Sequence, residues 1–295
     1  MQTCVILNPS ARGDKARALH ADLERAYPHC VFRHSSQAGH ARELAAQAVR
    51  DGFPTIIAGG GDGTVNEVIN GLGDVSGGFE STDFGVLPLG TVNVFAREIG
   101  LPLRLKETVE VLKKGKTRTI DLGRAEYIAD GAPQQRFFIQ LAGAGLDSRA
   151  IELVDWQLKK KMGAASYVVA GIQALLENQP RIVARGATEL SGELVLIGNG
   201  RFYGGSFTLF PKATLQDGLL HVLMVPKVTW LRAMAGGVGL LAGKLAEFCD
   251  ASLVSLPSVK LTSASRVLFQ LDGENIGELP ATLSVKPKTL RVIVP

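Results

Sequence analysis

Cysteine is scarce: Cys4, Cys30 and Cys249 are the only three in 295 residues, far apart and without a C-x-x-C pair. An odd, dispersed set excludes a disulfide framework and offers no zinc-ligand spacing, which points to a reducing compartment. Long apolar runs are also missing. The two most apolar stretches, Met162 to Leu176 and Ala233 to Gly243, fall short of the roughly 20 residues that span a bilayer. The opening MQTCVILNPSARG passes straight into a strand-like run with no basic leader, so no signal peptide is visible and a cytoplasmic location is expected. Aromatic residues make up only 6% and do not interleave the basic runs, and no nucleic-acid-binding motif is present. A nucleic-acid partner is not expected.

Glycine is what the chain has in excess, 34 residues against a usual share of roughly 7%. They follow no period of three, and an apolar fraction of 46% fits a chain that buries a real core rather than a collagen or a disordered segment. The net charge of +4 is concentrated between Arg97 and Arg118, with a second basic knot at Lys159, Lys160 and Lys161. Such runs are usually solvated helix faces; the sharper reading is a patch for anionic headgroups or a polyphosphate.

The first 120 residues alternate strand-like runs (Thr3 to Asn8, Cys30 to Ser35, Pro54 to Ala58, Asp83 to Pro88) with helical patterns at Asp14 to Ala26, His40 to Arg50 and Thr64 to Leu72. That rhythm predicts an α/β domain with a parallel sheet and a ligand at the carboxyl ends of its strands. After about Ile120 the strand candidates are Phe137 to Ala142, Ile182 to Arg185, Glu193 to Ile197, Phe202 to Phe210, Leu219 to Val225, Arg266 to Leu271 and Ala281 to Val285. Helical insertions near Ile151 to Glu177 and Thr229 to Cys249 interrupt a mainly antiparallel second domain. The expected division is 1–122, completed by 287–295, and 123–286.

The strongest local feature is Gly59-Gly60-Gly61-Asp62-Gly63-Thr64-Val65-Asn66-Glu67, between an apolar strand and a helix. Its glycines let backbone approach a ligand without Cβ atoms, and the following helix aims N–H groups at whatever sits there, an arrangement suited to phosphate. A purely structural turn would need one or two glycines. Asp62 inside an anion-binding loop repels phosphate unless a cation or a transferred proton compensates, which implies phosphoryl chemistry. Other nucleotide signatures fail: the first βα turn, Asn8 to Gly13, is not G-x-G-x-x-G, and Gly115-Lys116-Thr117 has Glu110 where a P-loop needs glycine. No H-E-x-x-H or G-x-S-x-G is present.

GGGDGTVNEVINGL, followed by Pro88-Leu89-Gly90-Thr91-Val92-Asn93-Val94-Phe95-Ala96-Arg97 and by Leu271-Asp272-Gly273-Glu274, resembles the bacterial lipid kinases of the diacylglycerol kinase family, relatives of sphingosine kinases. The motifs stand in the family's order and cover nearly the entire chain. The resemblance implies a nucleotide-binding α/β domain, a β-sandwich second domain, ATP with Mg²⁺, and a lipid hydroxyl as acceptor. It places Asn8, Pro9, Ser10, Ala11 and Arg12 at the nucleotide, with Ser35 standing for the family's threonine ahead of Gly39. It places Gly60, Gly61, Asp62, Gly63, Thr64, Val65, Asn66 and Glu67 around the phosphates and Thr91 in the second loop. Thr214, Asp217 and Leu219 resemble a structural Mg²⁺ loop, oxygen ligation suiting that ion; the same segment also reads as a simple Asp-Gly turn. Of the carboxylates, the resemblance implies Glu274 as general base with Asp272 and Asp62 organising metal and hydroxyl, while the sphingosine kinase branch suggests the Asp62 position as base. One departure stands out: Val94 occupies a position where the family commonly has aspartate, which bears on the acceptor.

The acceptor side is less distinct. Trp156, Tyr167, Val168, Val169, Ile172, Leu175 and Leu176 could line an acyl groove or form an ordinary core face, and the Thr229 to Phe248 segment has the same ambiguity. With the neighbouring lysines, peripheral contact with an anionic membrane surface at the inner face is expected. The competing functions are an NAD kinase, which shares a GGDGT loop but differs at Pro88 to Arg97, and a non-catalytic nucleotide- or lipid-binding module.

Overall fold

Thr3 to Leu7 is an unbroken run of β-formers and apolar residues, the pattern of a strand covered on both faces. In a computed structural model that describes residues 2–9, 23–25, 27–154 and 165–295, this strand (β1, Thr3–Leu7) is buried from Cys4 onward. It pairs in parallel with β2 (Cys30–His34) and β3 (Thr55–Gly60), and β3 pairs in parallel with β4 (Asp83–Pro88). The order β2-β1-β3-β4 means that the chain winds one way from β1 and the other way from β3. Between the carboxyl ends of β1 and β3, where Leu7 stands opposite Gly59, lies a switch point of the kind at which open α/β sheets hold ligands.

Helix α1 (His40–Arg50) buries only alanines, Ala41, Ala45, Ala46 and Ala48. That small face admits α2 (Asp62–Gly73) so closely that a Cβ on Gly71 would stand 2.2 Å from the Arg42 carbonyl. The short helices α3 (Gly78–Ser81) and α4 (Val94–Glu98) follow, then α5 (Leu105–Lys114), which buries Thr108, Val109 and Val111. Most of the basic run is solvated: Arg104, Lys106, Lys113, Lys114, Lys116 and Arg118 are all exposed, with Arg104–Glu107 and Lys113–Glu110 pairs at i,i+3. Of the expected helix at 14–26, Leu23 is described and packs into a core with Val5, Leu7, Ile57, Leu87 and Leu89; most of the remainder lies outside the described residues.

β5 (Thr117–Ala129) and β6 (Ala132–Phe138) form an antiparallel hairpin. β7 (Leu141–Gly145), α6 (Leu146–Glu152), α7 (Ala165–Leu175), β8 (Ile182–Arg185), β9 (Glu189–Gly192) and β10 (Leu194–Gly198) come next. After the two-residue strands β11 (Phe202–Tyr203) and β12 (Phe207–Thr208) come β13 (Leu220–Val225), α8 (Trp230–Leu241) and α9 (Leu245–Phe248). β14 (Ser252–Leu256), β15 (Ser258–Ser263), β16 (Leu268–Leu271), β17 (Glu274–Glu278) and β18 (Ala281–Ile293) close the chain. β14-β13-β10-β7-β16-β17 form a six-stranded antiparallel sheet. The first half of β18 pairs with β15, β15 with β8 and β8 with β9, all antiparallel. Inward residues of both layers, among them Ile182, Leu261 and Leu283 from one and Val195, Val222 and Phe269 from the other, share one core, so this unit is an antiparallel β-sandwich.

The chain divides into two compact units, Met1–Leu122 with Gly204–Ser206 and Pro287–Pro295, and Gly123–Tyr203 with Phe207–Lys286. β5 and β18 each supply backbone to both. Three elements differ from the sequence pattern for identifiable reasons. The strand expected over Phe137 to Ala142 is broken at Ile139 and Gln140, whose N–H groups turn to a carboxylate instead of a neighbouring strand. The helix expected over Thr229 to Cys249 is two, because Gly243 takes φ +67° after α8. The strand expected over Phe202 to Phe210 is a two-residue hairpin pair, with Gly204 and Gly205 at positive φ.

Candidate functional site

At the switch point of the first unit, β3 runs into α2 with Gly61 as the extended residue before the helix. The N–H groups of Asp62, Gly63 and Thr64 open α2 and have no carbonyl four residues back within it. Two glycines here serve a close crossing of loops: a Cβ on Gly90 would stand 2.4 Å from the Gly61 Cα, and the Gly60 carbonyl accepts the N–H groups of Leu89 and Gly90. Asn93, at φ 54°, closes the second loop, its amide both accepting from and donating to Gly90 at 2.9 and 2.8 Å. Thr91 is exposed at its tip. Gly63 is different: it is exposed and a Cβ there would meet nothing within 4 Å.

These two glycines make opposite predictions. Gly90→Ala is expected to destabilise the protein by about 1–3 kcal/mol, since the clash is with backbone, read from urea melts. Gly63→Ala should hold stability or raise it by up to about 1 kcal/mol while weakening a nucleoside triphosphate at least tenfold in a titration with an ATP analogue. Unchanged affinity would mean that nothing approaches the helix start at Gly63.

The remaining residues of the first loop are already engaged. Asp62 Oδ1 accepts the Phe95 N–H at 3.1 Å, which leaves Oδ2 for other chemistry. Asn8 donates its side-chain amide to Thr64 Oγ1 at 3.1 Å and its backbone N–H to the Gly59 carbonyl. Pro9 follows, half-buried. Ser35 is buried against Leu7, its N–H donating to the Leu7 carbonyl at 2.9 Å. Val65 and Asn66 are buried in α2, and Glu67 turns away to accept the Ala41 N–H at the start of α1, 3.0 Å. Ser10, Ala11 and Arg12 lie outside the described residues.

In the second unit a separate cluster forms at one end of the six-stranded sheet. Register puts His221 beside Gly198, Gly198 beside Leu141 and Ala142 beside Leu271, so the loops at 217–219, 199–200, 139–140 and 272–273 leave the sheet at the same end. Asp272 (φ 49°) and Gly273 (φ 88°) make a tight turn of the kind that needs two left-handed residues. The Asp272 carboxylate accepts three backbone N–H groups, from Ile139 at 2.8 Å, Gln140 at 2.9 Å and Leu141 at 3.0 Å. Glu274, 62% exposed, accepts from Arg136 Nη2 through Oε2 at 2.6 Å. Its other oxygen is left to take a proton.

Behind the turn runs a chain that sequence reading misses. Gln270 accepts the Gly273 N–H at 2.7 Å and donates to Asp147 Oδ2 at 2.8 Å, and Tyr203 Oη donates to Asp147 Oδ1 at 2.7 Å. Burial pushes the Asp147 carboxyl up, and the bonds from Tyr203 and Gln270 oppose that rise. Gln140 is buried with neither atom of its carboxamide hydrogen-bonded among the described residues. Such a group in a polar cluster marks a place for a ligand or a water. No local pattern identifies Arg136, Asp147 or Gln270, because each reaches a residue distant in sequence, and the Gln140 side chain has no partner among the described residues that could mark it.

Asp217 sits in the third group. Its Oδ1 accepts the Leu219 N–H at 2.9 Å, and its Oδ2 accepts the Thr214 N–H at 2.9 Å and faces His221 Nε2 at 3.0 Å. His221 Nδ1 in turn meets Ser255 Oγ at 2.9 Å. The carboxylate thus braces its own loop, and a cation held by Asp217 would use Oδ1, which accepts one N–H among the described residues, or Oδ2 in place of His221. Among the described residues no three His, Cys, Asp or Glu side chains form a metal-holding group. The three cysteines are free, and burial raises the Cys4 thiol to about 11, which makes it a poor nucleophile.

On the acceptor side, Trp156 and Lys159 to Lys161 lie outside the described residues, as do the side chains of Tyr167 and Val168. Of the rest of that stripe, Val169, Ile172 and Leu176 are exposed and Leu175 is half-buried, while the helix buries Ala170 and Ala174. Among the described residues no helix is long and apolar enough to cross a membrane.

Two family models match the chain in turn. Residues 2–125 match the diacylglycerol kinase catalytic domain, and residues 140–294 match the YegS C-terminal NAD kinase beta sandwich-like domain. The chain is 32% identical to a "Probable lipid kinase YegS-like" of Pseudomonas aeruginosa (strain UCBPP-PA14), over 99% of this chain and 93% of the relative. It is 30% identical to one of Pseudomonas putida, over 99% and 94%. A crystal structure of a diacylglycerol kinase from Bacillus anthracis str. Sterne shares the fold, with a TM-score of 0.76 at 24% identity, covering all of this chain and 97% of the other.

Proposed function

The chain belongs to the lipid kinase family that carries the diacylglycerol kinase catalytic domain, and we propose on that premise that it transfers the γ-phosphoryl group of ATP to the hydroxyl of a diacylglycerol-like lipid. The observation that carries the reading is the opening of α2 at the switch point: helix N–H groups and one Asp62 oxygen with no partner among the described residues, beside an open Gly63. Backbone donors fixed in advance toward phosphate oxygens cost no reorganisation when charge develops there. Asn8, Thr64 and the Gly90–Asn93 loop hold that geometry from three sides, and Thr91 offers a hydroxyl at the loop tip.

A divalent cation carried on the phosphates would neutralise charge on the transferred group, and Asp62 is the acidic residue of the loop that would hold it. Glu274 takes the proton from the attacking lipid hydroxyl through Oε1 while Arg136 keeps Oε2 in place. Asp272 shapes the turn that presents Glu274, through three backbone bonds. Asp217, with the Thr214 and Leu219 carbonyls, would hold a structural cation, and no step is routed through it. Incubation with [γ-³²P]ATP, a lipid panel and NAD tests the assignment. Label in a lipid hydroxyl is expected; label in NAD alone would overturn it in favour of nucleotide phosphorylation.

A further inference from the structure

Helix α8 is built with its bulky side outward. Toward the protein it is small: a Cβ on Gly236 would stand 2.8 Å from Cys249 Sγ, and one on Gly239 2.7 Å from Phe248 Cβ, so α9 packs almost on its backbone. Toward solvent, Trp230, Leu231, Met234, Val238 and Leu241 are 48, 80, 71, 56 and 75% exposed. At about 100° per residue these five fall within one arc of roughly 100°, and no other residue of the helix shares it. A solvent face of five large apolar side chains with no polar residue marks an interaction surface.

Its surroundings say what covers it. The only charged residue in α8 is Arg232, in the first turn; Lys227 precedes the helix and Lys244 follows it. Of the neighbouring acids, Asp250 pairs with Arg232 at 3.1 Å, Glu247 pairs with Lys244 at 3.7 Å, and half-buried Glu193 is turned to the Val228 N–H at 2.6 Å, so the exposed cation of the rim is Lys227. Trp230 stands half-exposed at the edge of the apolar face, the place such amphipathic rings take at headgroup depth. Anionic headgroups would suit the exposed Lys227 at the start of the helix, beside the Trp230 ring.

We propose that α8 docks the protein on a bilayer containing anionic lipid, lying in the headgroup plane with its outer face among the acyl chains. The inference rests on the lipid-acceptor reading for its purpose, since the substrate then resides in the surface that the helix binds. Flotation with phosphatidylcholine vesicles, with and without phosphatidylglycerol, tests it. The wild-type protein should float with the anionic vesicles, L231E/M234E should lower the bound fraction at least tenfold, and L241S should lower it less. I128S, an exposed apolar position on β5, should float like wild type. Circular dichroism checks each fold, and L241S keeps the test alive should the double variant misfold. No flotation of the wild type at either composition, equal flotation of the α8 variants, or a wild-type dimer in light scattering that L231E/M234E dissociates would each overturn the proposal. Flotation involves no phosphoryl transfer, so a wild type that floats but labels no lipid would refute the kinase reading alone.

Discussion

Glu274→Gln is expected to slow lipid phosphorylation by about 10²- to 10⁴-fold, the range over which a positioned base contributes, with little change in stability. The amide keeps the shape of the side chain and can still accept from Arg136 through its oxygen, but it cannot take a proton. Because Glu274 is 62% exposed, its ion pair with Arg136 is weakened by solvent, and the melting midpoint should move by no more than about 0.5 kcal/mol equivalent. Initial rates with labelled ATP and a dispersed lipid, alongside a urea melt, read both quantities. Rates within a few-fold of wild type would take the base away from Glu274. Asp62 would then be the candidate, since Phe95 occupies only one of its oxygens, and Asp62→Asn would carry the loss instead.

The sequence was most readable where chemistry and local geometry coincide. The glycine loop, the four parallel strands and α1 follow from short windows because a parallel strand is apolar throughout and a helix that must sit close to another is rich in alanine. β5 was hidden: Arg118, Asp121, Arg124 and Glu126 are scattered along it and interrupt the apolar run that marks a strand. α8 was visible as a periodic helix, but periodicity is the same whether the bulky face points to the core or to solvent. Only the contacts of Gly236 and Gly239 with α9 decide the direction. The glycines there serve helix packing, while Gly243 ends the helix.

The functions of the two carboxylates in Leu271-Asp272-Gly273-Glu274 were not separable from sequence, because their partners are distant. Arg136 is 138 residues from Glu274, and the three N–H groups that meet Asp272 come from 131 to 133 residues away. Nothing in a tetrapeptide distinguishes a carboxylate that binds backbone from one that faces a substrate. The resemblance implied a metal-organising role for Asp272; its contacts describe a brace.

That difference gives the second large expectation. Asp272→Ala should destabilise the protein by about 3–5 kcal/mol, because it strands three partly buried N–H donors that the carboxylate now satisfies, each orphaned donor costing about 1–3 kcal/mol with some relief from water. Asp272→Asn should recover only part of this. One amide oxygen can serve Gln140 and Leu141, but the NH₂ group would then face the Ile139 N–H, donor against donor. The loss should also reach the chemistry, since the Asp272–Gly273 turn sets the direction of Glu274 and is tied through Gln270 to Asp147 and Tyr203. Urea melts and initial rates on the same three proteins therefore sort the roles. Glu274→Gln should lose rate without stability, and both Asp272 variants should lose the two together. If Asp272→Ala instead melts like wild type and transfers no phosphate, the three backbone bonds contribute little and Asp272 acts on the metal or the hydroxyl directly.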